Sequence, residues 1–151
     1  MSPVKNQGGC GSCWAFAALT TLEGTIAKKS NKAPVHMSEQ EGVDCTTNTE
    51  ANIEMFGKGY NTGGCAGGWM EYHWLFVKDQ GVMLEKDYPY KGVDQLCAHD
   101  TTKTLPGRVA TYGQLEQDIG AFKARVDLQP VSVALNASSD AWRFYKTGVV
   151  K

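Results

Sequence analysis

The feature that most constrains this chain is its cysteine set: Cys10, Cys13, Cys45, Cys65 and Cys97. Five is an odd number, so in an oxidising compartment two bridges leave one thiol over, and that thiol needs a reason to stay unpaired. Glycine, at 17 residues, stands well above an average usage of ~7%. It clusters at Gly8-Gly9, from Gly57 to Gly68 and at Gly107, as suits tight loops pinned by cross-links. Cys10-Gly11-Ser12-Cys13 also has the spacing of redox and metal motifs. Structural zinc wants a second close pair, whereas Cys45, Cys65 and Cys97 stand far apart. A thioredoxin-like site has its tryptophan before the first cysteine and a strand leading in, whereas Trp14 follows Cys13 and the lead-in is glycine-rich. Neither reading is favoured, and no metal or organic cofactor is expected.

The residues after this motif read as helix. Ala15, Leu19, Leu22 and Ile26 recur at helical spacing, Ser12 is placed to cap them, and Lys28-Lys29 suit the negative end of the dipole. Ser38-Glu39-Gln40-Glu41 reads as a capping box opening a short helix with Cys45 at its end. Residues 46–68 lack periodicity and are predicted to be a long loop tied down by Cys65. Met70, His73, Trp74 and Val77 predict a second sizeable helix that stops before Gly81, and 82–108 return to loop. Leu115, Ile119, Phe122 and Val126 predict a third, and Val131 to Leu135 alternate like a strand entered from Pro130. Three helices and one late strand describe one finished lobe and the start of another.

Cys13 falls in the first turn of the first helix. Unpaired backbone N–H groups and the helix dipole stabilise a negative sulfur there, which favours the thiolate. The glycines ahead of it let a substrate approach closely, and Gln7 can project an amide donor toward the same place. A thiolate beside N–H donors is what acyl transfer requires.

Cys10-Gly11-Ser12-Cys13-Trp14 matches the C-G-[SA]-C-[WY] signature of papain and the cathepsins in every position. The chain resembles that family well beyond this run. Ser2 to Gln7, Ser38 to Glu41 through Asp44-Cys45, Gly64 to Gly68, Asp87 to Tyr90, Gln129 to Val133, and Phe144-Tyr145 with Gly148-Val149 are similar to family segments in the family's order. The resemblance implies an α+β papain-like fold of two lobes, with about 1–105 mainly the helical lobe and about 106–151 the start of the β-rich one. It implies a cysteine endopeptidase acting through an acyl-thioester on Cys13, with Gln7 and the Cys13 N–H holding the oxyanion. Cys10 would pair with Cys65 and Cys45 with Cys97, leaving Cys13 free. Gly67 and Gly68 would bond the substrate backbone, and Trp69, Met70 and Ala134 would line the pocket for the second residue before the cut. That apolar lining resembles the cathepsin L side of the family and favours a bulky hydrophobic side chain. The implied partners are peptide or protein substrates, an inhibitory pro-segment and cystatin-like inhibitors. The implied state is a monomer and the implied location lysosomal, vacuolar or secreted.

Departures from the pattern matter as much. The chemistry needs a histidine base oriented by an asparagine, and none of His36, His73 and His99 sits in the family's context for it. The family's histidine follows the segment corresponding to Phe144 to Val149, so the chain is expected to be the front part of such an enzyme, inactive alone. The alternatives are a homologue that binds peptides or a partner without cleaving, and one chain of a split protease. His73 is expected to be a helix-surface or packing residue, and His36 and His99 solvated loop residues. Gly42 stands where the family usually has a bulky aliphatic and is expected to weaken a short helix; Ala66 stands where it often has Asn. A net charge of -1 draws the chain to neither nucleic acid nor anionic lipid. No apolar run approaches the roughly 20 residues of a membrane helix, and Met1 to Lys5 lack a signal peptide's apolar stretch.

Overall fold

The computed structural model describes residues 2–105 and 109–149. Six α-helices run through them: α1 Cys13–Ser30, α2 Glu39–Cys45, α3 Glu50–Phe56, α4 Met70–Gln80, α5 Ile119–Leu128 and α6 Asp140–Arg143. The long α1 packs on α4 and α2. No strand is present among the described residues. Isolated bridges, Met37 with Leu84 and Met83 with Thr104, both antiparallel, lace the loops to one another instead.

α1 forms where its periodicity predicts, and it stops at Asn31, which takes the left-handed conformation at φ 54° and donates its N–H to the Ala27 carbonyl. Its buried face is turned from the expected one. Trp14, Ala15, Ala18 and Leu19 are buried, whereas Ile26 is 41% exposed. At that end the inward position belongs to Glu23, which accepts hydrogen bonds from Ser2, Lys5 and the Met37 N–H. Small Ala18 admits α4 closely enough for the Trp74 indole to donate to its carbonyl at 3.0 Å.

The main core gathers Leu19, Met37, Tyr60, Phe76, Val77, Val82 and Met83. Phe56, Tyr60 and Phe76 meet edge to face, an arrangement that adds to the burial itself. A second cluster of Cys10, Trp14, Ala15 and Val43, with Cys65, Met70 and Tyr90 against it, lies under the glycine loops. The structure joins Cys10 to Cys65 and Cys45 to Cys97, at sequence separations of 55 and 52. On the chain-entropy argument each closure is worth ~4 kcal/mol.

Four expectations need correction. Residues 46–68 are not all loop: α3 sits inside them, capped by the Thr49 hydroxyl and ended by Gly57 at φ 73°. Ser38 does accept the Glu41 N–H, but Glu41 does not reciprocate, because its carboxylate is taken by the Met83 N–H and by His99. Val131 to Leu135 form no strand; no second strand pairs with them among the described residues, and they are held instead by Ser132, whose hydroxyl donates to the Ala17 carbonyl. Leu115 precedes the third predicted helix, which starts later, at Ile119, because Asp118 caps it by accepting the Ala121 N–H.

Burial falls away after Val109. Ile119, Leu128, Val133, Phe144 and Val149 are all more than half exposed. Gly107 and the expected lobe boundary near residue 106 lie outside the described residues.

Candidate active site

Cys13 is an exposed free thiol at the first position of α1. The Ala15 and Phe16 amides both go to the Ser12 carbonyl, at 2.9 and 3.2 Å. Among the described residues the Cys13 and Trp14 amides have no acceptor, so the helix presents two free donors beside the sulfur. Ser12 stands at the cap position, yet its side chain makes no cap bond. Its hydroxyl is fully buried and bonded to the Tyr90 hydroxyl at 2.6 Å.

Gln7 comes to the site from the segment ahead of the helix. One N–H of its amide donates to the Cys10 carbonyl at 2.8 Å, which fixes the side chain and leaves the second N–H of the same nitrogen for another acceptor. Tyr90 holds the Gln7 backbone, donating from its hydroxyl to the Gln7 carbonyl at 2.8 Å. The whole segment is anchored through Lys5, which reaches Glu23 at 3.0 Å and Glu39 at 2.5 Å. Burial pulls the Lys5 ammonium down, but its bonds to Glu39 and Glu23 and their charges outweigh this and raise it. Burial is also the main influence on Glu39, pushed up to about 7 against the opposing pull of Lys5.

The glycine loop meets Cys13 from the other side. Gly11 N–H donates to the Cys65 carbonyl at 2.9 Å, and the Cys10–Cys65 bridge clamps the same two loops. A Cβ on Gly11 would lie 2.6 Å from that carbonyl, so only glycine permits the approach. Gly68 lies against the Trp14 ring, where a Cβ would come within 2.8 Å. Gly67, at φ 123°, bonds its N–H to Gly64 and its carbonyl to Gly63, while the Gly68 N–H and carbonyl have no partner among the described residues. Met70 is half-buried against the Trp14 cluster, and Trp69, just ahead of α4, is 56% exposed. Gln7 thus reaches Cys10, Gly67 lies near Gly11, and Gly68 and Met70 pack toward Trp14, the neighbours of Cys13, whereas Ala134 is exposed on the stretch after Ser132.

No imidazole bonds to Cys13 among the described residues. His36 is exposed. His73 is fully buried with neither ring nitrogen bonded, and burial holds it down at about 3. The expectation of a solvated His99 is wrong: its side chain is almost wholly buried, with Nδ1 at 2.6 Å from Glu41 Oε1. The expectation for Gly42 is also wrong. A Cβ there would lie 2.4 Å from His73 Cε1, so the missing side chain is the space the His73 ring fills. Tyr90 and Trp14 are the residues to which the sequence analysis assigned no site role. The Asp87-Tyr88-Pro89-Tyr90 run was visible, but nothing local says that its second tyrosine reaches the helix of Cys13.

Comparison with known proteins agrees with this geometry. The family model described as papain family cysteine protease matches residues 1–151. A cathepsin L-like peptidase of Aedes aegypti is 39% identical over 99% of this chain and 41% of its own length. A KDEL-tailed cysteine endopeptidase of Arabidopsis thaliana is 40% identical over 99% of this chain and 38% of its own. The chain thus spans about two fifths of the length of these relatives. Among solved structures, a cysteine protease of Carica candamarcensis in complex with E-64 superposes with a TM-score of 0.78 at 31% identity, over 98% of this chain and 63% of that one. A digestive procathepsin L of Tenebrio molitor larval midgut gives 0.56 at 32% identity, over 70% of this chain and 31% of that one.

Proposed function

Because this chain belongs to the papain family of cysteine proteases, we propose that it carries the nucleophile half of a cysteine endopeptidase site. The Cys13 thiolate attacks the peptide carbonyl, and the Gln7 side-chain N–H and the Cys13 backbone N–H receive the oxyanion. A base takes the thiol proton and returns it to the amine nitrogen as the C–N bond breaks, and water then hydrolyses the acyl-thioester to the acid and restores the thiol. The observation that carries this reading is the one free thiol, exposed at the start of a helix whose approach is held by the Gln7 amide on the Cys10 carbonyl. No imidazole among the described residues bonds to Cys13, and none of them is assigned as the proton acceptor.

The unpaired Gly68 backbone suits strand-like bonding of a substrate, and half-buried Met70 beside exposed Trp69 suits a bulky apolar side chain two residues before the cut. Ala134 joins that wall only when the stretch from Val131 is gathered into a sheet. The division at about residue 105, an inhibitory pro-segment, cystatin-like inhibitors, a monomeric state and a lysosomal, vacuolar or secreted location belong to the same reading. A neighbour that is a procathepsin and relatives named cathepsin L-like support it.

A peptidyl vinyl sulfone tests the reading, since its capture needs a directed thiolate and a groove but no leaving-group acid. Intact mass should show one adduct, mapped to Cys13, forming faster with leucine than with aspartate at the second position. Equal rates for the two side chains, or an adduct elsewhere, would overturn it.

A further inference from the structure

Ser12 is the residue type that most readily caps a helix, placed at the cap position of α1, and it does not cap it. Its backbone, at φ -99° and ψ 15°, is not in the extended conformation that turns a cap side chain over the first turn. The hydroxyl is directed to Tyr90 instead, at 2.6 Å. Tyr90 has one proton, spent on the Gln7 carbonyl at 2.8 Å, so Ser12 must be the donor in the shared bond. The Tyr90 ring is fixed by an edge-to-face contact with Phe16, centroids 4.9 Å apart, and its backbone N–H by Glu85. One phenol therefore holds both segments that flank the nucleophile.

Resting on the reading of Cys13 as nucleophile, we propose that Tyr90 is a positioning residue that keeps the Ser12 hydroxyl away from the first turn of α1, reserving its free amides for the sulfur. A serine oxygen released from Tyr90, with Ser12 relaxing toward the extended backbone of a cap residue, can accept from the free Trp14 amide, and that bond takes from the thiolate a donor that would otherwise stabilise it. The uncapped start of α1 is thus a held state, and its stabilising partner is the substrate-reactive anion.

The test is the pH–rate profile for alkylation of Cys13 by iodoacetamide in the full chain. Tyr90→Phe keeps the ring on Phe16 and removes only the hydroxyl. Its profile should move up by roughly half a pH unit to one unit, the scale of one lost cap-type hydrogen bond. Tyr90→Phe with Ser12→Ala should return the midpoint to the wild-type position, because no competing oxygen remains; a merely structural role for Tyr90 predicts no such rescue. Ser12→Ala alone should leave the midpoint in place. Lys5, His36, Glu39 and Glu85 line the recess behind the Tyr90 ring and are the same in every variant, so their titration cancels in the comparison. An unmoved Tyr90→Phe profile, a double variant that stays with Tyr90→Phe, or an upward shift in Ser12→Ala alone would overturn the inference. Failure of the wild-type chain to form the Cys13 adduct with the peptidyl vinyl sulfone would instead overturn the nucleophile reading itself.

Discussion

Gly42→Ala should destabilise this protein, against the usual direction of glycine-to-alanine changes in helices. In an open helix interior that exchange gains about 0.5–1 kcal/mol from backbone entropy. Here the new Cβ would stand 2.4, 2.7 and 2.9 Å from His73 Cε1, Nε2 and Nδ1. The ring cannot retreat: it is fully buried and stands edge-on to Trp14 at 5.7 Å between centroids. Overpacking of this kind costs about 1–3 kcal/mol. With the contact falling inside van der Waals distance on three ring atoms, the upper half of that range applies, and the net loss is about 1–2 kcal/mol. His73→Ala empties the space, so in that background the same Gly42→Ala change should stabilise by about 1 kcal/mol, a coupling of roughly 2–3 kcal/mol with reversal of sign. Urea denaturation of the four proteins, disulfides intact, reads this directly from their midpoints at constant slope. Stabilisation by Gly42→Ala in the wild-type background, or additive effects within about 0.5 kcal/mol, would refute the claim that glycine here exists to admit the imidazole.

Three further outcomes follow from the same packing. Glu39, raised by burial from its ordinary 4.5 to about 7, stabilises fully below 4.5 and loses that contribution as pH rises through 7. His73, lowered by burial from 6.5 to about 3, contributes fully above 6.5 and loses it as pH falls toward 3. Urea midpoints against pH should therefore decline on both sides, with Glu39→Gln flattening the alkaline limb and His73→Leu the acid limb; unchanged limbs would contradict the assignments. Replacing Cys45 and Cys97 together by alanine should cost ~4 kcal/mol in the same assay, and a loss below about 1 kcal/mol would show that the bridge closes a loop already ordered in the unfolded chain. Finally, the 151-residue chain should hydrolyse a fluorogenic peptide no faster than its Cys13→Ala variant, since no imidazole bonds to the sulfur among the described residues; cleavage abolished by Cys13→Ala would reveal an unrecognised base.

Legibility from sequence followed the range of the interactions involved. α1, α2 and α4 were readable because their apolar spacing and end signals are local, and Cys13 because its motif is contiguous. α3 was not: it is two turns long, and Ile53 and Met55 are half exposed, so no apolar stripe marks it. Ser12, Ser38 and Glu41 were recognised as capping residues, but two of the three expected cap bonds are diverted to partners far along the chain, Tyr90 and His99. The same long-range effect explains Gly42, whose meaning lies in a ring 31 positions away in sequence. The alternation of Val131 to Leu135 is real, but a strand needs a neighbour, and none stands beside it among the described residues.

The central claim is that the start of α1 makes the Cys13 sulfur an anion-like nucleophile, and the rate of its alkylation by iodoacetamide at pH 6 measures this most directly. Two free backbone amides and the positive end of the helix dipole favour the charged form of a sulfur seated there. Cys13 should therefore react faster than N-acetylcysteine under the same conditions. A rate equal to or below that of the free thiol would contradict the account.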